Sequence, residues 1–152
     1  MSRHAQELAT LFARELDRLA NEIAAYPSDE ALWSTAGAQR NAPGTLGIHV
    51  VGGLSTFIGG ALGGTGYVRD RDREFSERDV PRDEVVRRIR ECSAIVVPVL
   101  ENLDDEALDG TFPGPLPGQM QGSSTRAFLL FLAWHLGWHT GQVYYHRLGL
   151  SE

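Results

Sequence analysis

The sequence predicts an all-α protein, and within that class a four-helix bundle. Three observations lead there. Four long segments place apolar residues at every third or fourth position, the period of one helix face. Proline, glycine and serine or threonine stand at the ends of those segments, where helices start and stop. A single long polar crossover separates the second segment from the third, a connection that such bundles accommodate.

The first helix is expected over 3–26, with Leu8, Leu11, Phe12, Leu16, Leu19 and Ile23 on one stripe and Pro27 ending it. Residues 28–33 suggest one short helical turn, followed by a loop to position 42. The second helix begins near Pro43 and runs to about Leu62, with Leu46, Val50, Leu54, Phe57 and Ile58 as its stripe. Its glycines weaken the helix, by up to about 1 kcal/mol each, and leave room for a neighbouring backbone. Residues 65–79 read as polar and irregular. The third helix starts near Pro81 and carries Val85, Ile89, Cys92, Val96, Val99 and Leu103, with a kink expected at Pro98. Residues 94–100 would also suit an edge strand, but the sustained period favours helix. A loop rich in proline and glycine covers 104–123, long enough to suggest a role of its own. Ser123, Ser124 or Thr125 caps the fourth helix, which extends to about Arg147.

Composition narrows the function. The chain has 152 residues and is read as one domain over 1–152. Its net charge of -6, with arginines interleaved among acids as in 69–74, speaks against a nucleic-acid partner. The apolar run around 127–145 approaches membrane length, yet it holds two histidines and a glutamine, so a buried core helix and no membrane role are expected. One cysteine, Cys92, and no apolar leader at the start fit a cytoplasmic protein. Cys92 falls on an apolar stripe and reads as an inert core residue.

The chemistry concentrates in the histidines. His135 and His139 are four residues apart in an apolar run, so they share one helix face. At about 100° per residue, His135, His139, Gln142 and His146 fall within roughly 60° of one another. A third histidine, His49, lies in the second helix. If those helices pack together, three neutral nitrogens converge, and three histidines with an open fourth position form a catalytic type of metal site. The alternative is a structural bundle whose histidines are satisfied in the core or by water. His4, near the terminus, reads as solvated.

Three motifs, in order, are N41-x-x-G44-x-L46-x-x-H49-x-x-G52-G53-L54, R69-D-R-D-R-E-F75-S76 and H135-L-G-W-H139-T-G141-Q142-V-Y-Y-H146-R147. In these the chain resembles the DinB-like (YfiT-like) superfamily of metal-dependent proteins, in a bacterial branch. The resemblance implies a four-helix bundle in up-down-down-up order, often a homodimer. It implies a divalent metal, usually zinc or nickel, held by His49, His135 and His139. Gln142 and His146 match the end of the last motif; Gln142 would orient a ligand or a bound water, while His146, about 10 Å further along the helix, is too distant to share the ion.

Such a cation would acidify a water for hydrolysis or hold a thiol in its ionised form. Hydrolysis benefits from a general base, and the position after His135 is Leu136, so this is not the H-E-x-x-H arrangement. Asp70, Asp72 and Glu74 are alternatives, though they read first as surface ion-pair partners. Thiol transfer has less need of a carboxylate. The resemblance includes relatives that use a low-molecular-weight thiol, whose carboxylates Arg69, Arg71 or Arg73 would hold. The expectation is therefore a metal-dependent thiol transferase or hydrolase acting on a small molecule. A non-catalytic, dimeric metal-binding module of stress response is the alternative. Trp134 and Trp138 are expected in core or dimer packing.

Overall fold

The computed structural model describes residues 1–150, and positions 151 and 152 lie outside the described residues. In chain order the helices are α1 (Arg3–Ala24), α2 (Asp29–Leu32), α3 (Pro43–Leu54), α4 (Arg71–Ser76), α5 (Arg82–Glu101), α6 (Asp105–Asp109) and α7 (Thr125–Leu148). The molecule is all-helical: among the described residues the only extended pairing is an isolated bridge between Thr111 and Ser124.

Four long helical stretches carry the core. Ser2 caps α1 by accepting from the Ala5 amide, and Leu8, Phe12, Leu16, Leu19 and Ile23 are buried along one face. Each fully buried leucine or phenylalanine contributes about 1.5–3 kcal/mol by leaving water. α1 packs on both α5 and α7, and α3 packs on the same two helices. Residues 94–100 are helical, so the strand alternative is excluded, and α5 continues past Pro98 to Glu101.

α3 does not run on as a regular α-helix. From Ser55 to Leu62 it widens into a π-helix, with the Gly63 amide donating to Ile58 O across five residues at 2.9 Å. The glycines expected to admit a neighbouring backbone mostly admit side chains instead. A Cβ at Gly47 would lie 2.8 Å from Ile23 Cδ1, and one at Gly52 would lie 1.9 Å from Glu74 Oε1.

The two segments expected to be irregular hold short helices. Within 65–79, Asp70 accepts from the Arg73 amide and starts α4. Within 104–123, Asp104 caps α6, which buries Leu108, and Gly118–Met120 forms one 3-10 turn. Ser124 is the residue that caps α7.

Two further features concern the apolar helices. The continuous helical stretch Pro43–Leu62 is apolar and long enough to cross a membrane, but 61% of its most apolar window is buried inside the molecule. α7 is not buried all round: Trp134 and Trp138 are 57% and 56% exposed, so neither is a core residue.

Candidate metal centre

His49 sits at the middle of α3, where the chain from Ala42 to Val50 is buried on every side. His135 and His139 project from one face of α7, as their spacing requires. Because α3 packs on α7, the three rings meet. Their centroids are 5.3 Å (His49 to His135), 5.3 Å (His49 to His139) and 4.4 Å (His135 to His139) apart. One nitrogen from each ring lies within 4.8 Å of the other two, a group that can hold a metal ion.

Neighbouring side chains fix which nitrogen faces inward. Nδ1 of His139 is 2.7 Å from Gln142 Oε1. That nitrogen therefore carries the hydrogen and donates it, and the lone pair sits on Nε2. Nε2 of His139 is in turn 3.1 Å from Nε2 of His135. Nδ1 of His49 donates in the same way to Glu74 Oε2 at 3.1 Å, which directs the His49 lone pair away from Glu74.

The electrostatics keep the rings neutral. Burial is the largest effect on all three and pulls each pKa below the ordinary histidine value. His135 is pushed down to about 4, with the nearby His139, His49, Arg69 and Arg71 adding to the effect. The hydrogen bonds that His49 donates to Glu74 and His139 donates to Gln142 oppose the shift in part. Three neutral imidazoles with converging lone pairs are the donor set that borderline divalent cations take. The residues present fit such an ion.

Glu74 was expected on the surface and is instead 4% exposed. Its carboxylate also accepts from Arg69 Nε at 2.7 Å and Arg69 Nη2 at 2.9 Å. Gly52, one turn beyond His49, makes this approach feasible, since a Cβ there would lie 1.9 Å from Glu74 Oε1. Phe75 packs on the His49 ring at 4.9 Å. The charge alternation of 69–74 conceals Glu74; the only local signal is Asp70, a helix-capping residue that turns the following segment inward.

The other candidates separate cleanly. Asp70 caps α4, and Asp72 is exposed. Arg73 points away toward Glu77 at 3.7 Å, whereas Arg69 and Arg71 line a cavity with His49 and His135. His146 does not join the triad. Its Nδ1 is 3.0 Å from the Tyr26 hydroxyl, whose one proton is donated to Val143 O at 2.8 Å, and these contacts tie α7 to the end of α1. His4 is on the surface beside Asp105. Cys92 is buried beside Ser55, and burial pushes its thiol up to about 11, which leaves it unreactive.

Two recesses reach different members of the triad. One, of about 710 Å³, touches His139 and Gln142 and extends past Arg40, Asn41 and His146. The other, of about 170 Å³, touches His49 and His135. Neither is lined by an aspartate or glutamate among the described residues.

The model of the DinB superfamily matches residues 6–143. The chain belongs to the DinB superfamily. That match covers most or all of each long helix and includes all three histidines of the triad. No curated protein and no solved structure matches this DinB-superfamily chain.

Proposed function

We propose that His49, His135 and His139 hold one divalent cation, zinc or nickel, with a coordination position left open, and that the protein is a metal-dependent thiol transferase. The observation that carries this reading is the triad's place between two recesses that lack carboxylates. A transferase needs room for two molecules at one centre, and a hydrolase benefits from a nearby base. Glu74, the one carboxylate bonded to the triad among the described residues, is committed to His49 and Arg69. The bound cation would act as a Lewis acid that favours the ionised form of a thiol.

The chain's own residues set the conditions for that chemistry. Glu74 and Gln142 hold two of the ligand rings in one tautomer. Burial keeps the rings unprotonated. Phe57 and Phe131 give the smaller recess apolar walls.

Zinc-loaded or nickel-loaded protein should conjugate a low-molecular-weight thiol to an electrophile such as 1-chloro-2,4-dinitrobenzene, and His139→Ala should abolish the reaction. Ester hydrolysis that needs no thiol would contradict the transferase assignment and favour the hydrolase.

A second reading has its own observation. Leu130, Trp134, Trp138, Tyr145 and Leu148 form an exposed stripe along α7. Gly137 and Gly141 lie among them with open space beyond. The stripe carries no charge, and apolar patches of this kind mark association. We propose that it is the face of a homodimer of up-down-down-up four-helix bundles in the cytoplasm. Such a dimer serves a catalytic protein and a non-catalytic metal-binding module of stress response equally well.

A further inference from the structure

We propose that the cavity of about 170 Å³ beside His49 and His135 binds a small carboxylic acid, its carboxylate paired with Arg71 and the free edge of Arg69. As a substrate class for the metal centre this rests on the reading above, though the anion site itself needs no ion.

The two guanidinium groups are held differently, and both leave donors free. Arg69 spends Nε and Nη2 on the Glu74 carboxylate, which fixes its plane and leaves Nη1 unspent. Arg71 forms no ion pair or hydrogen bond with an acid among the described residues. Its guanidinium lies 5.4 Å from the Phe75 ring centroid, and Phe75 packs on His49. Stacking on an aromatic face positions an arginine while leaving its in-plane donors available.

The lining therefore carries two guanidinium groups and no acid: Arg69 is already balanced by Glu74 behind it, and Arg71 keeps its charge unpaired among the described residues. In-plane guanidinium donors match the planar oxygens of a carboxylate. The remaining wall is hydrocarbon, from Phe57, Leu54, Phe131 and Leu132, and suits an aliphatic or aromatic body rather than free phosphate. The cavity is smaller than the roughly 300–1,000 Å³ of drug-sized sites, which limits the occupant to a small acid or the acid end of a longer molecule. An acid seated there lies against two of the three ligand rings.

Isothermal titration calorimetry tests the assignment. Benzoate, butyrate, benzamide and inorganic phosphate are titrated into zinc-loaded and metal-free protein, with metal content measured on the same samples. Benzoate or butyrate should bind at least tenfold more tightly than benzamide. Arg71→Ala and Arg71→Gln should each lose at least tenfold in carboxylate affinity, with parental zinc content and circular dichroism. Equal affinity for benzoate and benzamide, unchanged binding in both variants, or phosphate binding tighter than either acid would overturn the proposal. His139→Ala should lose zinc and still bind benzoate in the metal-free comparison. In the parent protein offered zinc, full zinc content with no carboxylate binding would reject the acid site alone, and carboxylate binding with no uptake of zinc would reject the metal centre alone.

Discussion

Truncating Glu74 to alanine removes the group that joins α4 to the candidate metal centre. Three hydrogen bonds disappear together: one from His49 Nδ1 at 3.1 Å and two from Arg69 at 2.7 and 2.9 Å. Losing the outer partner of a metal-binding histidine costs about 10–100-fold in metal affinity, or about 1.4–2.7 kcal/mol. A second cost falls on folding. The paired side chains are 5% exposed for Glu74 and 17% for Arg69. Breaking a fully buried pair costs about 3–5 kcal/mol, and the partial exposure of Arg69 brings this one down to about 2–3 kcal/mol. Glu74→Gln keeps an acceptor for His49 Nδ1, so its loss of metal affinity should stay below about tenfold. Zinc affinity is measured by competition with a chromophoric chelator, and folding by urea unfolding of the metal-free protein. Glu22→Ala breaks the remote pair with Arg147 and serves as the control: it should lower stability and leave zinc affinity unchanged. If Glu74→Ala binds zinc as tightly as the parent while remaining folded, the role given to Glu74 is wrong.

The remaining predictions concern its surroundings. Gly52→Ala would put a Cβ 1.9 Å from Glu74 Oε1, so the carboxylate must move; a cost of about 1–3 kcal/mol in urea unfolding is expected, with zinc affinity falling as in Glu74→Ala. In the metal-free protein the three histidines have pKa values below the roughly 6.5 of the unfolded chain, with His135 down at about 4. Above about pH 6.5 these groups are neutral in both states and contribute nothing to the pH dependence. As pH falls below that, the unfolded chain takes up protons that the folded chain resists, so stability declines, for His135 down to about pH 4. The urea midpoint should drop between pH 7 and 5, and less steeply when all three are alanine; a midpoint that rises on acidification contradicts the burial argument. Trp138→Glu should convert a dimer to a monomer in sedimentation velocity without loss of helix content, and an unchanged sedimentation coefficient would remove the α7 stripe as the interface.

Much of the centre was legible because its signals are local. Four-residue spacing puts His135 and His139 on one face, and three more residues reach Gln142, whose side chain lies 2.7 Å from His139 Nδ1. His49 was legible as a candidate through its motif, and the packing of α3 on α7 brings it to the pair. The four long helices followed from apolar period and end signals. What stayed hidden depends on contacts between distant segments. Glu74 lies in a run of alternating charges that looks solvated, and only the turn started at Asp70 and the bare backbone of Gly52 take it inside. The π-helical stretch 55–62 follows hydrogen-bond register, which apolar periodicity does not report. Trp134 and Trp138 were read as packing in the core or in a dimer; the period of α7 sets them opposite the buried Leu132 and Leu136, which takes them out of the core.

Metal stoichiometry bears most directly on the centre. Untagged protein is loaded with one equivalent of zinc, dialysed against metal-free buffer and assayed by plasma mass spectrometry beside a variant with alanine at 49, 135 and 139. The account predicts one ion per chain in the parent and none in the folded triple variant. An ion retained in full by that variant, or a parent that holds none, would contradict it.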